Sequence, residues 1–191
     1  CVISGTSTPV GWTDTKFTRA GESETTVPVN VTAVSSNIYK GVKNSFPIDV
    51  YAGENITINP ASTTYGFNGL NCAYYADWNG DYDFDDADEY LGVQVAAQGT
   101  SSRTLIKKVP TEAKFGTTRV RVIFSKDAEA NKQPCSIANT SNAMVCDFKI
   151  NVKKWCPPDI TGTVKNATCP EEPNGAITID NVKAIQFTNG L

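Results

Sequence analysis

Polar and apolar residues alternate along most of this chain, and no apolar stripe recurs at helical spacing over the length of a helix. The run 27–34, VPVNVTAV, places Val27, Val29, Val31 and Ala33 on one face of a strand. Residues 46–51 predict another strand, which Pro47 assigns to a sheet edge. A turn at 52–55 leads into 56–58, and a loop rich in Gly, Asn, Ser and Thr follows as far as Gly69. The apolar run 70–76 predicts a buried strand. Beyond it, 91–97 and 103–109 predict two more, and 110–116 predicts a helical turn or β-arch. The clearest alternation is 118–125, with Val120, Val122 and Phe124 facing inward and Arg119 and Arg121 outward. A long polar loop, 126–143, precedes 145–152, where Cys146, Phe148, Ile150 and Val152 share a face. Residues 1–26, rich in Thr, Ser and Gly, predict at most one short strand. About seven to nine short strands separated by turns predict an all-β fold, an antiparallel β-sandwich of the Ig-like or jelly-roll kind.

The pattern changes at Trp155-Cys156-Pro157-Pro158, where the proline pair predicts a stiff joint. After it, 161–165 and 176–179 predict two strands joined by a turn at Asn174-Gly175. The expected organisation is one sandwich domain over 1–154, then a linker and a partial β-module over 155–191, short for a core of its own.

Charge singles out one segment. Seven of the chain's 20 acidic residues fall within 77–89, DWNGDYDFDDADE; the rest of the chain carries 17 basic and 13 acidic side chains. The net charge of −3 is therefore made in one loop. Carboxylates ~4 Å apart repel by about 1 to 4 kcal/mol per pair, so water or a cation must offset the cluster. The spacing favours a cation. Asp77, Asn79, Asp81 and Asp85, closed by Asp88 or Glu89, follow positions 1, 3, 5, 9 and 12 of a Ca²⁺ loop, and Asp83 stands at position 7, which gives a backbone carbonyl. The donors are hard oxygens without His or thiol, which points to Ca²⁺ in a structural role. Two features depart from an EF-hand. Tyr82 stands where that loop carries Gly, and the flanking segments are strands rather than helices. The competing reading is a solvated acidic turn.

Other chemistry is limited. The chain has no histidine, which removes Ser-His-Asp triads, Cys-His dyads and His-ligated metal hydrolysis, and the expectation is a non-enzyme. Basic residues are few and dispersed, so no nucleic-acid partner is expected, and no apolar run approaches the ~18 residues of a membrane span. Six cysteines without a CxxC pair predict disulfides in an oxidising compartment. Proximity favours Cys135 with Cys146 and Cys156 with Cys169, leaving Cys1 and Cys72; the alternative for Cys1 is acylation in a processed lipoprotein. The expected location is extracellular or at the cell surface, with any signal peptide already removed.

DWNGDYDFDDADE, followed by VPTEAKFGTTRVRVIFS and a closing DFKINV, resembles the GEVED domain of secreted bacterial multidomain proteins over about residues 20–153. Carried over by position, the resemblance implies Asp77, Asn79, Asp81, Asp83, Asp85 and Glu89 as the loop acids, with Arg119 and Arg121 in the second block. The third block departs. Where the family reads GEVEDY, this chain has Ala143-Met144-Val145-Cys146-Asp147-Phe148, keeping Val145 and Asp147 and losing both named glutamates. Asp147 is left to pair with Arg119 or Arg121 from a neighbouring strand. The tail NATCPEEPNGAITI is similar to the start of short β-repeats in gliding-motility and other surface adhesins. Together these resemblances imply a non-catalytic module of a bacterial surface or secreted adhesin, of the sort associated with type IX secretion. Its partners would be neighbouring β-modules and a glycan or protein ligand on a host or other surface. The alternative is a carbohydrate-binding accessory module of a secreted enzyme, with Trp12, Trp78, Tyr74, Tyr75 and Tyr82 as stacking rings.

Overall fold

A computed structural model describes residues 11–31, 39–62, 69–95, 103–125, 133–135, 143–154, 159–165 and 176–183. The strands, in chain order, are β1 (Trp12–Arg19), β2 (Thr25–Val31), β3 (Tyr39–Val42), β4 (Ile48–Tyr51), β5 (Asn55–Ser62), β6 (Asn71–Ala76), β7 (Tyr90–Gln94), β8 (Leu105–Lys108), β9 (Gly116–Ser125), β10 (Met144–Lys153), β11 (Asp159–Lys165) and β12 (Ala176–Lys183). The chain divides into two units, Cys1–Lys154 and Trp155–Leu191.

In the first unit, β2-β1-β5-β8 form one sheet and β3-β10-β9-β6-β7 the other, with β4 also pairing β10. The sandwich is all-β, but its second sheet is mixed, because β3 and β4 both run parallel to β10. β4 pairs only with β10 among the described residues, the edge position to which Pro47 pointed. Two strands escape the alternation argument. β1 spans eight residues where Thr and Lys interrupt the apolar positions, and β3 is four residues with a glycine in it.

The main core fills the space between the sheets. Trp12 packs edge-on against Phe124 with ring centroids 4.9 Å apart, and Phe17 meets Phe148 at 5.2 Å. Val27, Val29, Ile56, Ile58, Tyr74, Val120, Val122 and Ile150 complete the layer. Trp12 is fully buried, its indole N–H donating to Asp14 O and Thr15 Oγ1 at 3.0 and 3.1 Å. Tyr74 is equally enclosed and donates to the carbonyl of Arg103. Both rings belong to the core and are not stacking platforms.

The second sheet is covered on its outer face too. Ala73, Tyr75, Phe84, Ile123, Ala143 and Val145 form a separate cluster there, with Tyr39 and Cys135 packed against it. This outer layer overturns two expectations. Arg121 does not face solvent: its side chain is 2% exposed, enclosed on the outer face of β9. Cys146 does not bond Cys135. Cys146 points into the inter-sheet core, whereas Cys135 lies against the opposite face of the same sheet. Cys146 and Cys72 are free, buried thiols, and burial pushes both well up from the usual thiol range. They flank β9 on its two sides, opposite Val122 and Phe124. Strands two places apart are ~10 Å distant, beyond the ~7 Å that a disulfide tolerates. Cys135 itself is disulfide-bonded. Cys1, Cys156 and Cys169 lie outside the described residues.

The second unit holds one antiparallel hairpin, β11 with β12, whose Thr163, Ile177, Thr178 and Ile179 side chains are exposed.

Candidate metal centre

The acidic loop joins β6 to β7, and its two ends are tied into the sandwich. Asp77 N donates to Arg119 O at 3.0 Å, Ala76 N donates to Glu89 O at 2.9 Å, and Thr118 Oγ1 donates to Asp77 O at 2.5 Å. Between these ties the chain folds back over the outer face of the second sheet. Phe84 is the anchor, 3% exposed, edge-on to Tyr75 at 6.1 Å and beneath the Arg121 guanidinium at 4.7 Å. One apolar residue in a run of acids thus fixes the loop to the fold.

The alternate positions act together. Asp77 Oδ1 accepts from the amides of Gly80 and Asp81 at 2.6 and 3.2 Å, and its Oδ2 accepts from Tyr82 N at 3.2 Å. Asn79, Asp81 and Asp83 each accept the amide two residues on, at 2.9, 3.1 and 3.0 Å. These are Asx turns, and they curl the backbone so that successive side chains converge. The curl requires left-handed backbone at Gly80 (φ +69°) and Tyr82 (φ +76°). At Gly80 the Lys114 side chain also passes 3.2 Å from where a Cβ would sit. Tyr82 meets the requirement that made its position a departure. It adopts the glycine-like conformation as a tyrosine, with its carbonyl accepting from Arg119 Nη2 at 3.2 Å. Tyr82→Gly is expected to stabilise the domain by about 1 kcal/mol, the cost of a left-handed L-residue offset in part by glycine's greater chain entropy. An unchanged or lowered denaturation midpoint would show that the tyrosine's contacts outweigh its backbone strain.

Two acids of the loop are buried, Asp77 and Glu89, each 1% exposed. Asp77, Asp81 and Glu89 present carboxylate oxygens within 4.8 Å of one another. Glu89 Oε1 accepts from Trp78 N at 3.1 Å, but Glu89 Oε2 is buried without any hydrogen-bond partner. Burial, with a further push from Asp77, Asp81 and Asp86, raises its carboxyl from the usual 4.5 to about 7. Trp78 Nε1 and Asp14 Oδ1 are the other buried side-chain atoms without a partner among the described residues. A groove of about 520 Å³ lined by Trp78, Asn79, Asp86, Asp88, Glu89 and Glu112 gives access from solvent.

At the closing end, where the spacing left Asp88 or Glu89 open, the structure brings only one of the two to the other carboxylates. Glu89 closes the constellation, whereas Asp88 and Asp85 are exposed and belong to neither acidic group. The reason is strand alternation: Leu91 faces the core, so Glu89, two residues earlier, faces it as well. Asp86 joins the loop in the place expected of Asp85, forming a second, more exposed group with Asp81 and Asp83. Asn79 donates to both Asp81 Oδ2 and Asp86 Oδ2, at 2.8 and 2.5 Å, and so holds those two carboxylates near each other. Three oxygens this close suit one cation held at ~2.4 Å from each, the range for Ca²⁺ and oxygen.

Beside the loop, Asp147 forms a fork with Arg121, Nε to Oδ1 and Nη2 to Oδ2, both 2.7 Å. Tyr39 donates to Asp147 Oδ2 at 3.0 Å, and Arg119 Nη1 lies 3.9 Å from the same oxygen. The cross-strand register of Asp147 with Arg121 makes this pairing unavoidable. Arg121 also donates to Pro134 O at 2.8 Å, so every polar edge of the pair is occupied. Of the rings considered for stacking, Trp78 and Tyr75 are 5% and 3% exposed, while Tyr82 is 74% exposed.

No curated protein matches this chain. Among solved structures, it is similar to the PmoD soluble domain from Methylocystis sp. ATCC 49242 (Rockwell), at 8% identity and a TM-score of 0.37, over 73% of this chain and 89% of that one. The model of the GEVED domain matches residues 71–151. The matched stretch begins at β6 rather than near residue 20, and it contains the acidic loop, the Arg121–Asp147 fork and nearly all of β10. Residues 71–151 are thus the part of the chain that is similar to the GEVED domain.

Proposed function

We propose that this chain is a non-catalytic module of a bacterial surface or secreted protein, in which Ca²⁺ bound by Asp77, Asp81 and Glu89 fixes the β6–β7 loop to the sandwich. The observation that carries the reading is Glu89 Oε2, a buried carboxylate oxygen without a partner, in reach of two further carboxylates. A solvated acidic turn would not bury its closing acid, because an unpaired buried charge costs several kcal/mol. A cation in that position satisfies Oε2 and neutralises the repulsion at once. Ca²⁺ suits a donor set made wholly of oxygen. The GEVED match and the expected oxidising compartment support service outside the cell. The lack of histidine anywhere in the chain supports a binding or spacer role over catalysis. An adhesin stalk is the form of this role that the similarity of the tail to adhesin repeats favours.

Calcium at ~100 times its Kd should add about 2.7 kcal/mol, a rise in Tm of roughly 5–10 °C over the protein in EDTA. Asp81→Ala should remove that rise. Superimposable melting curves with Ca²⁺ and with EDTA would leave the loop as a solvated turn and overturn the reading.

A further inference from the structure

A second groove, of about 430 Å³, includes Asp77, Lys114, Arg119 and Lys149 in its lining. Arg119 and Lys149 are directly opposite each other across β9 and β10. Neither Lys114 nor Lys149 has a carboxylate within 4.0 Å among the described residues. Arg119 is held by Asp147 at 3.9 Å and by the Tyr82 carbonyl, and the lining's one carboxylate, Asp77, is 1% exposed, so the charge offered to a ligand is chiefly that of the two lysines. Its rim is apolar and open: Val42, Tyr82 and Phe115 are 42%, 74% and 55% exposed. The Arg119 guanidinium lies 5.7 Å from the centre of the Tyr82 ring, so cation and ring form one continuous wall. Exposed rings beside two lysines without a carboxylate partner match a ligand that has both anionic groups and apolar ring faces.

We propose that this groove binds an acidic polysaccharide, a sugar chain bearing carboxylate or sulfate groups. The C–H faces of its sugars pack on Tyr82 and Phe115, and its anions pair with Lys114, Arg119 and Lys149. An extended acidic peptide fits less well, because pairing it to the sheet requires a free strand edge. None exists at the cationic residues. Lys149 N and O are taken by the Asn44 side chain at 2.8 Å each, and Arg119 O accepts from Asp77 N. Recognition there rests on side chains alone, which suits a ligand without backbone amides. The groove shares Asp77 with the proposed Ca²⁺ site, but none of its three cationic residues is a proposed ligand, and the proposal does not require the loop to hold an ion.

The test uses the full chain in EDTA at low ionic strength, so that no divalent ion bridges acidic ligand to acidic loop. Its probes are polygalacturonate, heparin, neutral dextran and poly-glutamate. Binding to at least one acidic sugar chain is expected, roughly tenfold tighter than to poly-glutamate, with dextran not retained. Retention of polygalacturonate alone assigns a carboxylate ligand and retention of heparin alone a sulfate; both outcomes support the groove. Lys114→Ala/Lys149→Ala should weaken binding at least about tenfold, and Phe115→Ala roughly as much without changing the charge. All three side chains are outside the core, and the variants should melt like the parent. Failure to bind either acidic chain overturns the proposal, as does equal affinity for poly-glutamate or dextran. So does full retention by Phe115→Ala, which would reduce the groove to unspecific charge attraction.

Discussion

Replacing Arg121 with methionine is expected to cost the domain about 3–5 kcal/mol, the largest loss of any single polar substitution in the described structure. On a domain of this size that lowers Tm by roughly 6–20 °C. The magnitude follows from what remains behind. Asp147 is fully buried, and without its fork partner Oδ1 loses the Arg121 Nε hydrogen bond while Oδ2 keeps only the Tyr39 hydroxyl and the more distant Arg119. Phe84 simultaneously loses the guanidinium stacked on it, so the acidic loop loosens at its anchor. Asp147→Leu should be nearly as damaging, since it strands a buried guanidinium among Pro134 O and two rings. The double variant Arg121→Met/Asp147→Leu should recover a large part of either loss, because no buried charge is left unpaired. If the two single losses simply add, the fork is not the unit of stability that its geometry indicates.

That pair also shows where sequence reading stops. In 118–125, alternation correctly turns Val120, Val122 and Phe124 into the core, and it correctly sends Arg121 to the opposite face. It cannot show that the opposite face is covered, because the cover comes from elsewhere in the chain: Phe84 from the acidic loop, Cys135, and Tyr39 from β3. A charged residue on a two-sided strand has the same periodicity as one in water. The same blindness governs the cysteines. Cys135 and Cys146 are near in sequence, and only the tertiary fold reveals a sheet between them. The acidic loop was legible in its first half, where each Asx side chain captures an amide two residues on and the spacing of the letters is the geometry. It was less so at its close. A Ca²⁺ loop numbered strictly from Asp77 selects Asp88, whereas the phase of β7, set by Leu91, selects Glu89. Tertiary phase outranks motif count. β1, expected only as one short strand somewhere in 1–26, could not be placed for a similar reason: its polar residues occupy inward and half-buried positions, as with Thr15, wholly buried beside the Trp12 indole.

Glu89→Gln is expected to move stability in opposite directions according to whether the metal is present. In EDTA the variant should melt higher than the parent by several degrees, since the amide carries no charge and its N–H groups can donate toward Asp77 and Asp81 in place of an oxygen without a partner. With saturating Ca²⁺ the order should reverse, because the parent gains the ion's binding energy and the variant has lost one of three anionic ligands. The crossing separates a metal site from a structural carboxylate, which would lose stability under both conditions. A pH series sharpens it. The folded carboxyl titrates at about 7 against 4.5 when unfolded, so between these values the folded state holds a proton that the unfolded chain lacks. In EDTA the parent should therefore gain stability as pH falls from above 7 toward 4.5, and Glu89→Gln should show no such gain. The Ca²⁺-dependent rise should shrink over the same interval, since the ion must displace that proton. A parent whose stability in EDTA is level across the interval would mean that Glu89 is already neutralised by another group, and the buried oxygen would lose its claim to a cation.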